Sequence, residues 1–234
     1  MIEVPPIPLT QHDLLDRNAC ESTRDKVMDL KAYWRECSPT FFTLGAASYL
    51  DAPRQLGAYL DAAKERNTLL GEAFAPEYKL LKHFFEELLR EPVLFDSRLA
   101  LPGFHIFILN GVNRSGDNVA ARAHFDLQWM YAIPNCVPTG TLSFTLPIEE
   151  PTGGASMEVW PFRYTDALRL GVSAVNYASK NGSETVKYTM GRMVIHDGLT
   201  LHAIGRAGTI APSGYRITLQ GHGVRLSEGW FLYW

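Results

Sequence analysis

The rhythm of apolar and polar positions changes near residue 91. Ahead of it, hydrophobic residues recur at helical spacing. Beyond it, short apolar, β-branched and aromatic runs are separated by turn formers. The plainest helical stretch is residues 76–90, where Leu80, Leu81, Phe84, Phe85, Leu88 and Leu89 form one apolar stripe that Glu91-Pro92 closes. Asp51 with Pro53 predicts a second helix through Leu56, Tyr59, Leu60, Leu69 and Leu70. Thr10 with Asp13 predicts an earlier one carrying Leu14, Leu15, Val27, Leu30 and Trp34.

Strands are predicted over 104–109, 123–132, 141–146, 155–160, 185–189, 193–195, 200–204, 215–220 and 230–233. The breakers between them include 113–117, Pro138, 151–154, Asn181-Gly182 and 212–214. Helices bunched at the front, followed by many short strands, predict an α+β fold. Its core is a sandwich or closed barrel, with the N-terminal helices packed on the outside. There is no internal repeat and no dividing linker. One domain over 1–234 is therefore expected, with 1–91 mainly helical and 92–234 the strand-rich core.

Composition narrows the field. Hydrophobic residues are 46% of the 234, enough for a sizeable core, which argues against a disordered chain. Lys and Arg total 22 against 25 Asp and Glu, so no basic excess is available to follow a phosphate backbone. Cys20, Cys37 and Cys136 are too scattered for a disulfide framework or a cysteine-rich zinc site. Neither a secretory signal nor a long apolar span is visible, so a cytoplasmic location is expected. Asn181-Gly182-Ser183 reads as a turn rather than a glycosylation site. The expected partner is a small-molecule substrate, with no nucleic acid and no membrane; a homodimer is compatible with the sequence.

Phosphate loops, dinucleotide fingerprints, His-Glu-x-x-His and Cys-x-x-Cys are absent, and Gly171-Val172-Ser173-Ala174 lacks the closing glycine of a nucleophile elbow. What stands out is His124-Phe125-Asp126. On a strand, residues two apart share a face, so an imidazole and a carboxylate can converge. A second imidazole from another strand, His202 in 200–204, would complete a facial triad suited to Fe(II), with three positions left open. Alternation along 215–220 puts Arg216, Thr218, Gln220 and His222 on one face. An inward guanidinium is costly unless a carboxylate meets it, and Arg is shaped to grip one bidentately.

With His124-x-Asp126, a distal His202 and then Arg216-x-Thr218, the chain resembles the Fe(II)/2-oxoglutarate-dependent oxygenases, over roughly residues 100–225. The resemblance implies a double-stranded β-helix (jelly-roll, cupin-like) fold. It also implies iron held by His124, Asp126 and His202, 2-oxoglutarate as co-substrate with its far carboxylate on Arg216 and Thr218, and O2 as oxidant. The run 216–223 is similar to the small-molecule branch that includes free amino-acid hydroxylases and radical halogenases. The halogenases carry Gly or Ala where this chain has Asp126, so hydroxylation or another oxidation is expected in place of halogenation.

Rival readings stay open. His196 could replace His202, although Asp197-Gly198 after it looks like a turn. His105 reads as a hydrogen-bonded core histidine. Gln220, His222 and Trp230 are candidate substrate contacts, as are Glu158, Arg163 and Arg122, while Trp234 could equally cap the barrel. Residues 113–122 read as a lid or a solvated loop. A cupin-like metal enzyme that does not use 2-oxoglutarate, or a non-catalytic jelly-roll binding module, would share much of this pattern.

Overall fold

The structure, a computed structural model, describes residues 7–109, 119–205 and 214–234. The first element is a strand, β1 (Thr10–Asp13), where the sequence suggested a helix start. Its backbone pairs with Arg192–Ile195, so Thr10 and Asp13 are held in a ladder, and the helix begins later. Helix α1 (Arg17–Asp29) is capped by Asp16, whose Oδ1 accepts from the Ala19 amide at 2.8 Å. Its buried residues Cys20, Thr23 and Val27 follow helical spacing.

Two strands that the sequence reading did not separate come next, β2 (Arg35–Ser38) and β3 (Phe41–Leu44). Helix α2 (Ser48–Asp51) is a single turn, and α3 (Leu56–Ala73) starts after Gln55, so Asp51 ends one helix rather than starting the next. Helix α4 (Ala75–Leu89) matches the predicted stripe, burying Tyr78, Leu81 and Phe85, and stops at Arg90 in the left-handed conformation. Then follow β4 (Val93–Leu94) and β5 (Gly103–Leu109).

The predicted strand 123–132 does not form. His124 makes one isolated bridge to His202, and residues Trp129–Ala132 turn into a short helix, α5. The remaining elements are β6 (Gly140–Glu149), β7 (Ser156–Arg163), α6 (Tyr164–Leu170), α7 (Ala174–Ala178), β8 (Glu184–Lys187), β9 (Arg192–His196), β10 (Thr200–Ile204), β11 (Gly214–Leu226) and β12 (Gly229–Tyr233). Much of the proposed lid at 113–122 lies outside the described residues; Val119–Arg122 form a 3-10 turn.

Two sheets result. The larger runs β1-β9-β6-β11-β5-β3-β2, with β12 on β11 and β4 on β12; the smaller runs β10-β7-β8. The 13-residue β11 is the spine, pairing antiparallel with β5 over Gly214–Gln220 and with β6 over Ile217–Arg225. Its alternation sorts the two faces. Ile217 and Leu219 join Phe104, Ile106 and Leu146 in a cluster packed by Val27, Leu70, Phe74, Leu81 and Phe85 of the N-terminal segment. The helices thus cover the outer face of the large sheet, and each fully buried Leu or Phe there contributes roughly 1.5–3 kcal/mol. Close approach is needed at Gly103, where an added Cβ would sit 2.1 Å from the Trp234 ring. The opposite face looks toward the small sheet across a cavity. This is the α+β jelly roll with external helices.

Candidate metal centre

The cavity has a volume of about 610 Å³ and is lined from both sheets, by His105 and Ser143 of the large one and Met157 and His202 of the small one. Within it, His124, Asp126 and His202 offer one ligand atom each, all within 4.8 Å of one another. The placement is a product of backbone pairing. His124 and His202 exchange N–H···O bonds at 2.9 and 3.1 Å, and the Asp126 amide donates to the Gly198 carbonyl at 2.8 Å. Gly198 has φ +72°, and a Cβ there would lie 2.9 Å from Ser143 Oγ and 3.1 Å from Asp126 Cβ. Only glycine lets the turn after β9 press this closely on the carboxylate.

The imidazoles are fixed in the tautomer a metal needs. His124 Nδ1 donates to the Arg122 carbonyl at 2.7 Å and His202 Nδ1 to the Thr200 carbonyl at 2.8 Å. A carbonyl only accepts, so the hydrogen is on Nδ1 and the Nε2 lone pair is free to ligate. His202 Nε2 lies 3.3 Å from Asp126 Oδ2 and His124 Nε2 lies 3.7 Å from Oδ1. Burial alone would raise the Asp126 carboxyl, yet the imidazoles of His202, His222 and His124 hold it well below the usual carboxylate range. Burial opposes charge on His202, while Asp126 beside it lifts that imidazole above its ordinary value. The His202 and Asp126 side chains are 8% and 9% exposed, and His124 keeps 47% of its side-chain surface, so the triad is open on the His124 side. Two imidazole nitrogens and one carboxylate oxygen, on one side and with their other polar atoms tied down, are a donor set that fits a divalent iron.

His196 is differently placed. It ends β9 as a strand residue, its ring T-shaped against His202 at 4.5 Å, and its Nδ1 accepts from the Gly198 amide at 3.1 Å. In the neutral ring, which burial enforces by pushing its pKa down to about 3, the hydrogen is then on Nε2, and neither nitrogen is free to ligate. The turn itself is braced by Asp197, 1% exposed, which takes the Leu199 and Thr200 amides on Oδ1 and Arg163 on Oδ2. Arg163 therefore holds the turn that leads into β10, the strand of His202.

The other sequence candidates fall into two groups. Gln220 and His222 line the cavity with the triad; His222 Nδ1 lies 3.0 Å from Ser143 Oγ and 3.9 Å from Asp126 Oδ2. Thr218 is fully buried and accepts from Gln220 Nε2 at 3.1 Å. Arg216, 3% exposed, does not itself line the cavity; its guanidinium lies over the rings of Phe107 and Tyr188, which do. Its Nε is 3.6 Å from Glu150 Oε1, beyond hydrogen-bond reach, and Nε and Nη2 have no hydrogen-bond partner. Such orphaned buried donors fit the carboxylate of an incoming ligand. Trp230 is placed elsewhere, in the cluster beneath the helices and against Gly140. Glu158 accepts from Ser183 and Thr185 at the surface, Arg122 lines the cavity, and His105 is bonded to the Tyr49 hydroxyl at 2.7 Å.

Tyr49, Tyr188 and Glu150 were missed in the sequence. Ser143 and Thr145 carried a signal, as alternating polar residues inside the apolar strand β6.

The fold is that of a group of solved non-haem α-ketoglutarate-dependent enzymes. The N-substituted L-amino acid dioxygenase of Burkholderia ambifaria AMMD aligns with a TM-score of 0.58 at 15% identity, covering 96% of this chain and 85% of that one. Its complex with alpha-KG aligns at 0.56 and 14%, with the same coverage. The carbocyclase SnoK from nogalamycin biosynthesis aligns at 0.50 and 12% identity, covering 97% of this chain and 92% of that one. No protein-family model and no curated protein matches the sequence. Among the described residues no helix is long and apolar enough to cross a membrane.

Proposed function

We propose that this protein is an Fe(II)- and 2-oxoglutarate-dependent dioxygenase that hydroxylates a C–H bond of a small molecule. The observation that carries the reading is the convergence of His124, Asp126 and His202, with both Nδ1 atoms bound to carbonyls, at one end of a cavity in this fold. Iron with bound 2-oxoglutarate and O2 supplies the oxidising power, the co-substrate leaving as succinate and carbon dioxide.

The chain's own residues hold and orient. His124 and His202 present Nε2, and Asp126, kept ionised by its imidazole neighbours, presents an oxygen. Gln128, donating to Asp126 Oδ1 at 3.1 Å, fixes the carboxylate's rotation. Arg216, with Thr218 beside it on β11, receives the far carboxylate of the co-substrate, which supplies the partners its Nε and Nη2 lack. That carboxylate must reach Arg216 past Phe107 and Tyr188 and takes over from the loose contact with Glu150.

The test has two parts. Adding 2-oxoglutarate anaerobically to the Fe(II) protein is expected to give a weak visible charge-transfer band; its absence would defeat the reading in favour of a metal enzyme that does not use this co-substrate. Asp126→Ala is expected to lose the band and all substrate-dependent succinate formation.

A further inference from the structure

The walls of the cavity away from the triad narrow the substrate. Four rings make a continuous surface there. Phe41 stacks on Phe107 with centroids 4.7 Å apart and planes at 16°, and His105 meets Phe41 edge-on at 5.0 Å and Tyr49 at 5.8 Å. All four line the cavity, and Tyr131, half-exposed on α5, lines its rim. The hydrogen-bonded pair Tyr49–His105 carries no charge: burial pushes the His105 imidazole down to about 3 and the Tyr49 phenol up.

Among the described lining residues, counter-charge for a cation is scarce. Asp126 is the sole carboxylate among the described lining residues, and in the proposed oxygenase it is committed to iron. Aromatic faces can bind cations, but the rings of Phe107 and Tyr188 already carry the Arg216 guanidinium. Burial of an ammonium without a partner is strongly unfavourable.

Resting on the oxygenase reading, we infer that the substrate is a small molecule with an aromatic or alicyclic ring and no ammonium group. Its ring lies against Phe41, which the stack on Phe107 backs, and an uncharged hydrogen-bonding group meets the Tyr49–His105 pair. A free α-amino acid is disfavoured by the same argument, because its ammonium would meet described walls whose one carboxylate is already used. The cavity is in the size range of small-ligand pockets and largely apolar with few placed polar groups.

Three probes with one carbon skeleton separate the charge states: 3-phenylpropanamide, 3-phenylpropanoate and phenylalanine. Calorimetric titration into protein loaded with Mn(II) and 2-oxoglutarate, and again into metal-free protein, is expected to show the first two binding and phenylalanine at least about tenfold weaker. Phe41→Ala should weaken the amide and the carboxylate about tenfold, and Tyr49→Phe should weaken the amide more than the carboxylate. Equal or tighter binding of phenylalanine, binding of none of the three, or indifference to both substitutions would overturn the inference. Mn(II) and 2-oxoglutarate binding without any probe sinks this inference and leaves the oxygenase standing. Probe binding by a protein that takes up neither metal nor co-substrate does the reverse.

Discussion

The triad and the Arg216 site behind Phe107 and Tyr188 treat polar atoms in opposite ways. At the triad, the imidazole nitrogens that face away from the centre are bonded to carbonyls, and Asp126 is held by Gln128 and surrounded by imidazoles. At Arg216, buried donors and the Glu150 carboxylate oxygens face each other without a hydrogen bond. The first is finished in advance and lacks only an ion. The second is left unsatisfied, which is costly in a folded protein unless a ligand completes it. In the proposed oxygenase, a site that must bind a metal persistently and a co-substrate once per turnover needs this asymmetry.

The largest way to sharpen the contrast is Arg216→Met. It is expected to weaken 2-oxoglutarate binding by about 2–5 kcal/mol, at least about 30-fold, read from half-saturation of the visible band. Fe(II) affinity should stay unchanged. The fold should be spared most of the 3–5 kcal/mol usual for a broken buried pair, because burial already raises Glu150 towards its neutral acid. Comparable losses of iron and co-substrate binding would erase the distinction between the two sites.

Gly198→Ala attacks the finished site. With φ +72° and a Cβ crowding Ser143 and Asp126, it is expected to lower metal affinity about tenfold and stability by about 1–3 kcal/mol. Competition with a metal indicator and thermal unfolding measure the two effects.

A pH-dependent effect concerns His105 on the cavity wall. Its folded pKa of about 3 lies below the ordinary 6.5, so between those values the unfolded chain holds a proton that the folded chain lacks. The stability it contributes is complete above pH 6.5 and falls as pH drops towards 3, by up to about 1.4 kcal/mol per pH unit. His105→Gln should flatten that part of the pH–stability curve; an unchanged slope would show that His105 is not held neutral.

How much of this could be read from the residues follows from what fixes each element. Helix α4 and strand β11 were legible because an apolar face covers a core, and a single period therefore runs their whole length. Thr10–Asp13 misled because capping residue types also occur in strands, and only the distant partner β9 decides between them. The triad residues were found by type and spacing, but not for the geometric reason offered. Residues 123–132 make no extended strand, and it is one bridge to His202 and the glycine turn at Gly198 that aim His124 and Asp126. Glu150 and Tyr49 were not legible, since nothing local distinguishes them from surface residues; they matter through neighbours 66 and 56 positions away, Arg216 and His105.

The brace at Asp197 has a consequence of its own. It follows directly on β9 of the large sheet, and through Arg163 and the amides of Leu199 and Thr200 it ties that strand to β7 and β10 of the small one. The gap between the sheets is therefore set by a strut of protein atoms, in contrast to small domains whose shape awaits their ion. Loading with iron then becomes a simple encounter with a vessel already in shape, and its rate should scale with metal concentration, free of any folding delay.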